Sequence, residues 1–239
     1  MSEAGTQLLK PPGHDASAIC FVRCYHVLMS EKSTKTKIYI GGQIDHASER
    51  KFLKFIVSWL EEQRIPAIVL ANVEIDDRQI DCIVATARCV SVVEVKTSQL
   101  PIRGDINGTW TRLSSSGEWN DYTNAYQQVV GAKNRFRDAM QTTKPVGNFH
   151  PDGYVVFTGP IPDGSALTLG NFKARVTTID LFPGHLKTAR ASPWLITDWE
   201  VFARKLKLTS VTLDQVVAGG KAREALDLLK RYTDAVVPE

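Results

Sequence analysis

The stretch Cys89–Gln99, CVSVVEVKTSQ, is a run of valines interrupted by one glutamate and one lysine. Alternate residues of a strand share a face, so Glu94 and Lys96 point one way while Val93 and Val95 point the other. A carboxylate and an ammonium at the end of an apolar strand are costly to desolvate unless something uses them. The run therefore reads as a buried strand that carries two charged side chains to a site.

Two further apolar segments precede it, AIVLANV (67–73) and QIDCIVAT (79–86), joined by links as short as EIDDR and AR. Links of that length predict hairpins and an antiparallel meander. Before the meander, Phe52, Leu53, Ile56 and Leu60 recur at helical spacing from about Asp45, with Asp45 or Ser48 as the cap and Pro66 beyond the end. After it comes a Gly-, Ser- and Trp-rich loop (101–120), then a second helix over about 122–140, then strands at 152–159 and 174–181. Past Pro193 the pattern is helical again, in TDWEVFARKLK, TLDQVVAGG and KAREALDLLKRYTDAV. The first fifteen residues read as a loose leader, and AICFVRCYHVL (18–28) as a strand. This order predicts an α/β fold, a mixed sheet flanked by helices. The expected divisions are a leader and strand (1–40), the main domain (41–182) and a C-terminal helical extension (183–239) that leads towards a further domain.

Composition narrows the function classes. Of 239 residues, 43% are apolar and 23% charged, which describes a globular chain rather than a disordered one. The net charge of +3 excludes a polycation, so nucleic acid would have to meet a local basic patch. No apolar run is long enough for a membrane span and the N-terminus lacks a signal-peptide core, so a cytoplasmic protein is expected. The four cysteines, Cys20, Cys24, Cys82 and Cys89, lack zinc spacing and read as buried thiols. The five histidines show no ligand spacing, and His46 reads as a capping or surface residue. No Walker loop is present.

If the last two strands pair as a hairpin, Asp81 and Glu94 reach the same edge of the sheet, with Lys96 one step beyond. Two carboxylates and a backbone carbonyl suit a hard cation, Mg²⁺ or Mn²⁺, better than zinc. Lys96 would then orient or deprotonate a water, or stabilise charge on a phosphate. The plain alternative is a surface ion pair on an edge strand.

QID followed by EVK resembles the PD-(D/E)XK nuclease core, and more narrowly the nuclease-related domain (NERD) of bacterial proteins, often fused to helicase, ATPase or kinase modules. The resemblance extends to GGQIDHASERKFLKFI, with Glu49 in the matching place, to INGTWTR, and to NAYQQ (124–128), and it covers roughly Gly41 to Phe157. Ala125 stands where the family usually has proline, and Ser48 where it has glycine. The resemblance implies a restriction-endonuclease-like core in which Asp81, Glu94 and the Val95 carbonyl hold the metal and Lys96 serves the attacking water. It also implies that Glu49 reaches the site from the first helix, through water or as support. Gln128, with Gln127 as its competitor, would act from the second.

Lys133, Arg135 and Arg137 on the second helix, with Arg103 and Arg112 in the preceding loop, would form the surface for a polyanionic backbone. Trp110 and Trp119 either stack on bases or close the core edge. The expected function is a metal-dependent nuclease acting on DNA, with RNA open. The alternative is a non-catalytic nucleic-acid-binding or protein-interaction module that keeps the fold.

Overall fold

A computed structural model describes residues 35–187 and 191–218. The expected leader, the strand at 18–28, Cys20 and Cys24, and the last helix lie outside these residues. Among the described residues no helix is long and apolar enough to cross a membrane.

The meander forms as β2 (Ala67–Ile75), β3 (Arg78–Thr86) and β4 (Val90–Lys96), all antiparallel. Its first turn is Asp76–Asp77, with φ of 50° and 55°, the doubly left-handed pair that suits the twist of a two-residue hairpin. Strand β1 (Lys37–Ile40) lies parallel beside β2, and β8 (Asp152–Phe157) parallel beside β4. Outermost are β10 (Arg175–Thr178) next to β8 and β11 (Thr209–Val211) next to β1. The result is a seven-stranded mixed sheet in the order β10-β8-β4-β3-β2-β1-β11.

Helices cover both faces, because strands buried on two sides need apolar partners above and below. Helix α1 (Ala47–Glu62) lays Phe52, Leu53, Ile56 and Leu60 on Val69, Val84, Val93 and Val156. Helix α2 (Ala125–Thr143) supplies the crossover that the parallel β4–β8 pair requires, and packs Val129, Phe136 and Met140 on Leu70, Val92 and Val155. A short helix α3 (Phe182–Leu186) sets Phe182 against Phe52 and Tyr154. Helix α4 (Ile196–Lys205) shares the α2 face, where Trp199 stacks on Phe136 with ring centroids 5.9 Å apart.

Several sequence expectations shift. The Gly/Trp loop is ordered as β5 (Ile102–Gly104), β6 (Trp110–Leu113) and β7 (Trp119–Tyr122), which join β9 (Ala166–Leu167) in a second sheet. Gly117, at φ 85°, makes the β6–β7 turn, and Trp110 is buried with its Nε1–H donating to the Asp105 carbonyl at 2.8 Å. The cap of α1 is His46, whose side chain makes no capping bond, rather than Asp45 or Ser48. The second helix starts at Ala125, because Asn124 caps it by accepting the Gln127 N–H at 3.0 Å. The boundaries expected at 41 and 182 fall within one packed unit: β1 precedes the first, α4 and β11 follow the second, and all join the main sheet or its core.

One irregularity shapes the site. In β2, Ile68 and Leu70 face α2 while Val69 and Ala71 face α1, yet Val73 and Ile75 return to the α2 side. The alternation reverses at Asn72, which has a φ of 49°. The β2–β3 register passes from Ala71↔Cys82 to Val73↔Ile80 without pairing Asn72 and Asp81. Asparagine tolerates the left-handed region, and its Nδ2–H donates to the Gln43 carbonyl at 2.8 Å. Gly41 lies so close that an added Cβ would collide with the Asn72 carbonyl oxygen. Gly41→Ala is therefore expected to destabilise the fold by about 1–3 kcal/mol, read as a lower urea midpoint; an unchanged midpoint would show that this crossing tolerates a methyl group.

Candidate active site

Asp81 sits opposite that kink, where β3 stops pairing with β4. The backbone ladder ends at Cys82↔Val93, and one residue on the Asp81 carboxylate replaces a strand carbonyl, Oδ2 accepting the Val95 N–H at 2.8 Å. In an extended strand the N–H and C=O of a residue point to the same side, so the Val95 carbonyl also turns towards Asp81. Lys96 uses the other side: its carbonyl accepts the Thr158 N–H at 2.9 Å. Glu94 and Lys96 share a face, as the alternation requires, and the Lys96 ammonium donates to Glu94 Oε1 at 2.6 Å.

Glu49 reaches this group from the first turn of α1. It is buried, with 7% of its surface exposed, as is Glu94. Burial, then the charges of Asp81 and Glu94, push the Glu49 carboxyl from its ordinary 4.5 up to about 7. Burial and the neighbouring Asp81 likewise raise Glu94. Asp81 is raised by burial, against the opposing pull of the Val95 N–H, Lys96 and His46. Burial would lower Lys96, but Glu94, Asp81 and Tyr122 outweigh it and hold the ammonium charged. Three carboxylates therefore crowd one ammonium in a half-desolvated corner.

The donors are hard oxygens, two from the Asp81 and Glu94 carboxylates and one from the Val95 carbonyl, which suits Mg²⁺ or Mn²⁺. Among the described residues no group of three or more His, Cys, Asp and Glu side chains forms a ready ligand cage. Such a cation would thus rest on two side chains, a main-chain carbonyl and solvent. An added positive charge would also answer the mutual repulsion that raises Glu49 and Glu94.

The other expected residues divide. Gln128 and Gln127 are both exposed on the first turn of α2, and Gln128 hydrogen-bonds none of the carboxylates. Asn124 is occupied by backbone: besides its cap, it donates to the carbonyls of Asp105 and Gly108 and so ties α2 to the second sheet. Ala125 takes the first helical position, where proline fits because that N–H needs no partner. Arg103 and Arg112 lie exposed on the second sheet, Arg103 over the Trp119 ring at 3.9 Å and Arg112 over Tyr122 at 5.0 Å. Arg135 is half-exposed, and Arg137 is too, with its NH1 group 3.2 Å from His150 Nδ1.

Lys133 differs from its expected place on an open basic face. It follows Val129 by one helical turn on the inner side of α2 and is buried, its stem packed over Gly153 and its ammonium donating to the Lys173 carbonyl at 2.5 Å. Burial lowers its pKa. Two neighbours were not expected at the site: Tyr122, at the end of a four-residue strand, acts on Lys96, and His46, read from the sequence as a capping or surface residue, acts on Asp81.

Residues 43–158 match the family model of the nuclease-related domain. No curated protein and no solved structure matches the chain.

The crowded acids give a signed pH dependence. A carboxyl raised in the folded state favours folding while it is protonated, and that contribution is lost as pH rises from about 4.5 through about 7. Glu49→Gln, measured without divalent metal, should melt roughly 2–4 °C higher than wild type at pH 8 and equally at pH 4. A variant that melts lower at pH 8 would mean that Glu49 is favourably paired there.

Proposed function

Because residues 43–158 match the model of the nuclease-related domain family, we propose that the chain is a divalent-metal-dependent phosphodiesterase that hydrolyses DNA. The observation that carries this reading is the convergence of Asp81, Glu94 and Glu49 on one ammonium, at the point where two strands part. Carboxylates in such a corner repel each other, and an ordinary structural site would not gather them.

Asp81, Glu94 and the Val95 carbonyl would hold Mg²⁺ or Mn²⁺, which when bound supplies positive charge against the phosphate. Lys96 remains protonated beside Glu94, so its role is to donate to a phosphate oxygen as charge gathers there, rather than to take a proton. Glu49, buried beside the other two acids, would support the attacking water through a hydrogen bond. Gln128 would orient the phosphate from α2. Arg103 and Arg112 lie on opposite faces of the second sheet, one over Trp119 and the other over Tyr122, and Arg112, on the Tyr122 side that acts on Lys96, would meet the backbone beside the site. The buried thiols Cys82 and Cys89 suit a reducing cytoplasm.

The test is nicking of supercoiled plasmid with Mg²⁺ or Mn²⁺, beside calorimetric metal titration. Lys96→Ala should cut at least about 100-fold more slowly while still taking up Mn²⁺. Asp81→Asn should lose the metal and, with it, cleavage. If wild type leaves plasmid, single-stranded DNA and RNA intact, the enzyme reading fails and a binding module with the nuclease fold takes its place.

A further inference from the structure

A second charged cluster lies at the other end of the sheet, where β8 begins. Along the β4–β8 pair, Asp152 is level with Ser91 and Val155 with Glu94. The cluster is thus about 10 Å down the strands from the carboxylates. It surrounds a cavity of about 580 Å³ whose lining includes Lys133, Asn134, Asp152, Phe172, Lys173 and Arg175.

Three cations from three different elements meet here: Lys133 on α2, Lys173 on the loop before β10, and Arg175 on β10. Asp152 is the one carboxylate in the lining. Lys133 spends one hydrogen on the Lys173 carbonyl, and an ammonium has three. Arg175 NH1 lies 3.4 Å from His185 Nδ1. Burial and the Lys173 charge both depress the Lys133 amine, while Asp152 opposes them. At the rim, Phe172 is 89% exposed, and the Lys173 ammonium is 5.9 Å from its ring centroid. A bare aromatic ring next to surplus positive charge matches a ligand with both a flat apolar part and an anionic part.

We propose that this cavity binds a nucleoside phosphate, its phosphate between Lys133, Lys173 and Arg175 and its base against Phe172. The phosphate belongs either to a free nucleotide or to the end of a nucleic-acid strand. The site is separate from the carboxylates and does not depend on cleavage occurring there.

The test is calorimetric titration of the full chain in EDTA, which keeps the carboxylate site out of the measurement. The ligands are inorganic phosphate, deoxyadenosine monophosphate, and a short oligonucleotide with or without a 5′-phosphate. The nucleotide should bind at least about tenfold more tightly than phosphate, the usual gain from stacking one base. Phe172→Ala should erase that preference. Lys173→Ala with Arg175→Ala should weaken both ligands at least about tenfold. All three residues are exposed, and unchanged melting temperatures will show that the variants fold. Tighter binding of the nucleotide than of either oligonucleotide assigns the site to free nucleotides; binding of the phosphorylated oligonucleotide at least as tight as that of the nucleotide assigns it to strand ends. The proposal is overturned if no nucleotide binds, or if the variants bind as wild type does.

Discussion

The candidate site depends on a single hydrogen bond, from the Val95 amide to the Asp81 carboxylate. Where the β3–β4 ladder ends, a side chain takes the place of a strand carbonyl, and the two strands are free to part without leaving an amide unsatisfied. The left-handed Asn72, across from Asp81 on β2, makes this possible by removing that pair from the β2–β3 ladder. The same bond fixes the Asp81 carboxylate beside the main chain and leaves its remaining lone pairs open. Packing therefore positions the acid at an edge that regular pairing would have closed. Glu94 and Lys96 emerge at that edge because the alternation of β4 demands it.

The arrangement is electrostatically uncomfortable. Burial raises Glu49, Glu94 and Asp81, and only Lys96 stands against all three. A chain selected for stability alone would replace one of these acids with an amide or an apolar residue. Their gathering in a desolvated corner supports the reading as an active site, and the same crowding would give a divalent cation something to neutralise. The Lys96–Glu94 pair limits the cost meanwhile, holding one acid and an ammonium together.

The meander was legible because β2, β3 and β4 are each seven to nine residues long and are joined by links too short for anything but hairpins. Asp81, Glu94 and Lys96 could be placed together from that pairing alone. The second sheet was not legible: its strands are two to four residues long, and β9 joins β5 from some sixty residues away. Strand β11 is three residues long and pairs with β1 from the far end of the chain. Lys133 was misplaced because a helix turned slightly about its axis exchanges a wet face for a dry one, and a lysine between Val129 and Phe136 fits either. The Asn72 kink left no trace in composition, since one asparagine in a strand only hints at a left-handed residue.

The matched span, 43–158, ends just past β8, whereas β1, β10, α4 and β11 lie outside it. A piece of the chain trimmed to that span would bare β2 along one side of the sheet and β8 along the other, each presenting a full row of unsatisfied amides and carbonyls. It would also strip Trp199 and Phe202 from Phe136. Such a piece would carry every acid of the candidate site yet tend to join its copies edge to edge into insoluble ribbons. The flanking strands therefore act as bumpers that keep the long inner edges of the sheet covered.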